Sequence, residues 1–326
     1  MYKKILAAAA VSALATSVVQ AEDCKPLQRY GVIPFEYTGS GNITLPASLA
    51  GQKTHLMLDT GAYWGSIRDD LAKALGLKVR SSDGIVIVDL SGERMTQVAV
   101  VPDVKIGSLN FGAAEFFLSK GDRDVPVEED AGLLGQNLLT QVDLEIDNAH
   151  KTISLFSQDH CDGDGVHWAD EAVVLEYKRQ KARGHTSTRL APHVDPNQID
   201  PPIVIADFEG EPVPVLFDTG ASFTSMDIDV ARKRFGITPS TPGVEPFGKV
   251  TVAAGGTLDA YKYTFKKLSI AGVQYENLPV LLVKFDVGTQ VVLGMNEMKH
   301  LHLYFAFKEG RIYITSANAG RQPAAK

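Results

Sequence analysis

Two carboxylates stand out by their setting. Asp59 ends the run Leu56-Met57-Leu58 and is followed by Thr60-Gly61-Ala62, and Asp218 ends Val215-Leu216-Phe217 and is followed by Thr219-Gly220-Ala221. A charged side chain at the end of an apolar, strand-like run is costly to bury unless it is paired or solvated for a purpose. One such purpose is acid–base work on water. Two carboxylates held in contact cannot both be charged, so they share a proton and titrate as a pair. One then takes a proton from water while the other gives one to the group under attack. A single Asp cannot do both. With ordinary residue frequencies a given tripeptide turns up on the order of once in several thousand positions. Two Asp-Thr-Gly-Ala copies, each behind three apolar residues, are therefore no coincidence.

The spacing says how two such groups could meet. Asp59 and Asp218 are 159 positions apart (218 − 59). Each is followed by an apolar-apolar-Gly element, Leu133-Leu134-Gly135-Gln136-Asn137 and Val292-Leu293-Gly294-Met295-Asn296, and Gly135 to Gly294 is again 159 (294 − 135). Gly51 and Gly210, and Ile153 and Ile312, keep the same offset. The chain is one internal duplication whose period is far too long for a solenoid, so it predicts two lobes. Each lobe supplies one carboxylate. Gly61 and Gly220 permit a tight turn beside each Asp, and Gly135 and Gly294 let another backbone pass closely.

On these motifs the chain resembles aspartic proteases of the pepsin and retropepsin type, closest to bacterial exported proteins with retropepsin-like Asp-Thr-Gly-Ala motifs. The resemblance covers nearly the whole chain after the leader. It implies an all-β, bilobal fold with pseudo-twofold symmetry, and an exported aspartic endopeptidase without a cofactor, with Asp59 and Asp218 as the catalytic pair. It implies that Thr60 and Thr219 bond across the lobe interface, that Gly61, Ala62, Gly220 and Ala221 support the catalytic loops, and that the apolar-apolar-Gly elements pack beneath them. The hairpin tips at Ser91-Gly92 and Gly255-Gly256 would be flaps that cover the substrate and exclude water. Pepsins use one flap and retropepsin dimers two, so which tip matters more stays open. The substrate would be a peptide or protein lying extended between the lobes.

Some positions depart from the pattern. Retropepsins usually follow the apolar-apolar-Gly element with Arg, where this chain has Gln136 and Met295. Many pepsins carry Ser or Thr where this chain has Ala62 and Ala221. A hydroxyl there could stabilise the charged carboxylate, so its absence should raise the pair's pKa and favour a milder working pH.

The elements that must position the pair follow from local pattern. Residues 1–21 read as a signal peptide: Lys3 and Lys4, an apolar Ala-rich run, and the cleavage-like Val19-Gln20-Ala21. A membrane anchor is the alternative, but the run is short for a bilayer span. Residues 22–157 form the N-terminal lobe, 158–171 a polar, Gly-rich linker, and 172–326 the C-terminal lobe. Strands are expected over Tyr30–Tyr37, Ile43–Leu45 and the run into Asp59, with hairpins around Ser91-Gly92 and 254–256 and a closing hairpin in each half. A helix is expected from Ser66 through Leu75 with Gly76 as its cap, mirrored over Asp227–Phe235 with Gly236. Residues 178–202, basic and then Pro-rich, read as an inserted surface loop or a lid.

Composition narrows the partners. The chain of 326 residues carries net charge −7, or −9 once two leader lysines are removed (−7 − 2). Nothing here suggests a nucleic-acid partner, which would want a basic face, and no membrane contact is expected after leader cleavage. Cys24 and Cys161 flank the first half, and in an oxidising compartment, periplasmic or secreted, they are a disulfide candidate; two unrelated thiols are the alternative. His300-Leu301-His302 lacks the spacing of a zinc-protease helix, and Cys161-Asp162-Gly163-Asp164-Gly165 lacks the remaining ligands of a calcium loop, so no metal is expected. Two rival readings remain. The chain could be a peptide-binding module of the same fold without turnover, or its halves could pair with those of another chain. Two nonidentical halves in one polypeptide favour a monomer.

Overall fold

The alternation at the start of the first half is realised as strand Ile43–Leu49, whose Ile43, Leu45, Ala47 and Leu49 are buried while the residues between them face outward. The structure is a computed structural model that describes residues 24–121, 124–177, 201–252, 256–270, 272–285 and 287–319. The expected leader, residue Gly255 and positions 178–200 of the expected insertion lie outside the described residues.

The fold is mostly β, in two duplicated lobes. In the first, the strand order is Glu36–Tyr37, Ile43–Leu49, Gln52–Leu58, Gly132–Leu134, Ser66–Arg68, Leu109–Ser119, Gln97–Ile106, Val79–Ser81. Ile43–Leu49 also pairs with Gln97–Ile106, which curls the sheet into a barrel. The second lobe repeats this with Ile203–Phe208, Glu211–Phe217, Val291–Leu293, Ser225–Asp227, Val273–Val283, Thr257–Ile270 and Glu245–Thr251, closed by a pairing of the first with the sixth. In both lobes the apolar-apolar-Gly strand lies parallel to the strand ending at Asp: Leu133 and Leu134 oppose Met57 and Leu58, and Val292 and Leu293 oppose Leu216 and Phe217. The ends of these strands next to each Asp are the most buried, which is why the apolar runs stand there.

A third sheet joins the lobes. Its order is Arg29–Pro34, Thr152–Phe156, Asp143–Asp147, Leu301–Ala306, Arg311–Ser316, Val173–Glu176, three strands from each half. At its centre Leu144 opposes Phe305, Glu145 opposes Tyr304 and Ile146 opposes Leu303. The 159-residue offset exchanges the outer two pairs and maps Glu145 onto Tyr304, so the pseudo-twofold axis passes between those two residues.

Two local expectations are corrected. Ser66 does not start a helix. It is buried in strand Ser66–Arg68, paired with Phe117 and Leu133 on either side, and the helix is the shorter Asp69–Ala74. Ile67 belongs to that sheet, so cross-strand pairing overrides the helical spacing. The second-half helix, Ile228–Phe235, has the expected cap, with Asp227 accepting from the Asp229 and Val230 amides and Gly236 at φ 69°. The stretch 158–171 is more than a spacer. Val166 and Trp168 pack on Phe156, Tyr304, Ala306 and Tyr313, covering the outer face of the joining sheet. Gly165 lies so close that a Cβ there would sit 2.5 Å from the Tyr304 ring. Cys24 and Cys161 form a disulfide with Cα atoms 4.9 Å apart, tying this cover to the first strand's approach.

Candidate active site

Both Asp loops emerge at the seam between the lobes, carried there by strands Gln52–Leu58 and Glu211–Phe217, whose ends next to the Asp are buried. The threonines lock them. Thr60 Oγ1 donates to the Phe217 carbonyl at 2.7 Å and accepts the Thr219 amide at 3.1 Å. Thr219 Oγ1 donates to the Leu58 carbonyl at 2.7 Å and accepts the Thr60 amide at 3.1 Å. Both threonines are fully buried. All four bonds run between halves, and each hydroxyl is used both as donor and as acceptor.

The carboxyls of Asp59 and Asp218 are close enough that each perturbs the other's titration. Each also lies against the other loop's glycine: a Cβ on Gly61 would fall 2.5 Å from Asp218 Cγ, and a Cβ on Gly220 would fall 2.5 Å from Asp59 Cγ. The glycines therefore serve close approach rather than a positive φ. Backbone amides fix the carboxylates: Gly61 and Ala62 donate to Asp59 Oδ1 at 3.0 and 2.8 Å, and Gly220 donates to Asp218 Oδ1 at 2.8 Å. Burial first, and the charge of Asp218 second, push Asp59 well above the ordinary carboxylate range. Burial also raises Asp218, but the hydrogen bond from Asp59 and amides around it pull the other way. Both carboxyls are thus raised by burial and titrate as one coupled pair.

Beneath the loops, Gly135 and Gly294 meet the backbone of Trp64-Gly65 and of Phe223, and a Cβ at either glycine would be blocked at 2.5 Å. Gln136 N donates to the Ala62 carbonyl and Met295 N to that of Ala221, the same bond in each half. Gln136 Nε2 adds a bond to the Thr60 carbonyl at 2.7 Å that Met295 cannot make. Asn137 accepts the Gly65 amide at 2.8 Å. Its counterpart Asn296 does not take that role: there Thr224 Oγ1 accepts the Gly294 amide and bonds the buried Glu297.

Ser91 and Gly92 sit in the turn between strands Ile87–Val88 and Arg94–Met95. Asp89 organises it, its Oδ1 accepting the Ser91 amide, the Ser91 hydroxyl and the Glu93 amide. The two tips touch across the seam, since a Cβ on Gly256 would lie 2.6 Å from Ser91 Oγ. Leu90 packs on an apolar cluster of the other lobe that also takes in Ala221, three residues past Asp218. One bridging residue escapes the sequence pattern. Asn42, 4% exposed, donates to the Thr219 carbonyl at 3.1 Å and accepts from Ser222 Oγ at 2.7 Å. It follows the Gly39-Ser40-Gly41 turn and has Pro201 at the duplicated position, so the repeat carries no signal for it.

A family model described as aspartyl protease matches residues 45–138 and again 204–296. No curated protein matches the chain. Among solved structures it is similar to the aspartic proteinase from Irpex lacteus, at 11% identity and TM-score 0.47, over 90% of this chain and 99% of that one. The family model thus falls once on each duplicated half, each time spanning the Asp-Thr-Gly-Ala motif and the apolar-apolar-Gly element, and covers more than half of the sequence: the chain belongs to the aspartyl protease family.

Proposed function

We propose that the protein is an exported aspartic endopeptidase in which Asp59 and Asp218 activate water against a peptide bond. The observation that carries this reading is the convergence of the two carboxyls at the seam, each pressed against the other loop's glycine and fixed by backbone amides. Asp218, ionised, is the base that takes a proton from the water. Asp59, protonated, gives its proton to the scissile carbonyl oxygen, and the roles exchange as the tetrahedral intermediate collapses. One chain supplies both acids, which supports a working monomer. The tips at Ser91-Gly92 and Gly256 act as a pair of covers over the bound peptide. Ala62 and Ala221 add no hydroxyl to either carboxyl, and with the raised Asp59 this favours a mildly acidic optimum. Export is supported by the leader-like residues 1–21 and by the Cys24–Cys161 disulfide.

The test is cleavage of an unfolded protein by the purified mature chain, with and without pepstatin. Pepstatin-sensitive cleavage that Asp59→Asn and Asp218→Asn each abolish is the expected result. Tight peptide binding without cleavage at any pH would overturn it in favour of a binding module, and a rate maximum sharply below about pH 3 would overturn the mild optimum.

A further inference from the structure

The duplicated positions Trp64 and Phe223 have opposite fates. Trp64 is 6% exposed: its Nε1 donates to the Glu115 carbonyl, Phe117 meets it edge-on at 6.2 Å, and Ile85, Ile87 and Met95 of its own lobe's flap hairpin cover the cluster. Phe223 is 40% exposed, and Phe247, its one aromatic neighbour among the described residues, is 43% exposed, edge-on at 5.4 Å. Phe247 belongs to strand Glu245–Thr251 of the other flap hairpin. It stands at an irregularity: Pro246 opposes Tyr261 and Gly248, at φ 115°, opposes Ala260, which leaves Phe247 without a cross-strand partner. A bulge of this kind re-aims a side chain and is found beside functional sites. Here it directs a ring onto the arm that leaves the Asp218 loop. Phe223 is fixed there because its backbone is pressed against Gly294.

Single exposed apolar residues need no explanation, but two aromatic rings brought together at the surface by a bulge and a buried loop do. The pair is continuous with the candidate active site through chain and contact. It lies where the first lobe keeps a covered tryptophan.

We infer that Phe223 and Phe247 form an open aromatic subsite that takes a bulky apolar or aromatic side chain of the bound peptide, on one flank of the Asp pair only. The occupant is a substrate side chain because the rings join the Asp218 loop to the hairpin that would cover an extended peptide. At the equivalent place in the first lobe Trp64 is covered and packed on Phe117. Substrate choice is thereby lopsided although the catalytic loops are nearly symmetric. This inference rests on the endopeptidase reading for its location, and its test separates the two.

The probes are fluorescein-labelled octapeptides in a Ser/Ala background, with Phe placed at each position in turn. Binding is measured to the Asp218→Asn protein and cleavage with the unsubstituted chain. Phe at one off-centre position should tighten binding about three- to tenfold, and both Phe223→Ser and Phe247→Ser should remove that gain. Both side chains are substantially exposed, so the variants keep the fold, which an unchanged melting temperature checks. Equal Phe preference on both flanks, no preference, no binding, or a preference that survives both substitutions would overturn the subsite. Absence of cleavage alongside a preference lost in both variants would overturn the endopeptidase and leave the subsite standing.

Discussion

Thr60 and Thr219 hold each other's loops through one pair of contacts run in both directions: each hydroxyl donates to the carbonyl just before the other loop's Asp and accepts the other threonine's amide. The two carboxyls meet because this buried lock fixes the loops to each other as well as to their own lobes. Replacing Thr219 by Val keeps the volume but strands the Leu58 carbonyl and the Thr60 amide without partners. A buried group left unpaired costs about 1–3 kcal/mol, so the variant should lose roughly 2–4 kcal/mol of stability in urea unfolding, and cleavage should fall with it.

Asp59→Asn separates function from stability. The raised pKa of Asp59 means the folded chain binds more protons than the unfolded one above the ordinary carboxylate value of 3.8. The pair therefore subtracts stability as pH rises. The amide removes that penalty and, on the proposed mechanism, the proton donor. Cleavage should drop about a hundredfold or more, while the melting temperature at neutral pH rises by a few degrees, about 1 kcal/mol. A melting temperature that falls would contradict a burial penalty on the Asp59 charge.

Gly61→Ala tests the close approach directly. Its Cβ would collide with the Asp218 carboxyl at 2.5 Å. The carboxyls must separate, so activity should be lost with the fold intact by circular dichroism. The same outcome is expected for Gly220→Ala, which meets Asp59 at 2.5 Å.

The joining sheet carries its own pH dependence. His160 is raised to about 9, chiefly by its hydrogen bond to Asp143, with the Cys161 carbonyl and Glu309 adding to it against burial. Its contribution is fully present below the ordinary 6.5 and lost as pH climbs through about 9. Burial pushes Glu145 up, but hydrogen bonds from His167, His302 and Ser154 outweigh it and hold it near 2. Its contribution is present above 4.5 and lost as pH falls toward about 2. Thermal stability should peak between about 4.5 and 6.5, and His160→Gln should flatten the alkaline side only. Melting curves across pH check both limbs.

The Cys24–Cys161 bridge closes 137 positions of chain. Removing both cysteines should cost about 3–5 kcal/mol by loop-closure entropy. Because the bridge also pins the segment that covers Tyr304, the loss should show first as exposure of Trp168, read by fluorescence.

The sequence by itself determined the duplication and, with it, the two-lobed β fold. Asp-Thr-Gly-Ala and apolar-apolar-Gly are local patterns, and buried strands must be apolar wherever they sit, so both copies were readable at a 159-residue spacing. The closing hairpins and the Asp227-capped helix were legible for the same reason. Tertiary structure alone decided the rest. Ile67 has helical spacing but lies in a sheet whose partners, Leu118 and Gly132, are distant in sequence. Asn42 bridges the lobes from an ordinary turn, without a duplicated mate to mark it. Trp64 and Phe223 hold equivalent places in the repeat, yet one is covered and the other open, because coverage comes from what the neighbouring hairpin of each lobe brings. Local pattern fixes which residues must be buried or turned; which remote residues then meet depends on three-dimensional packing that no single stretch encodes.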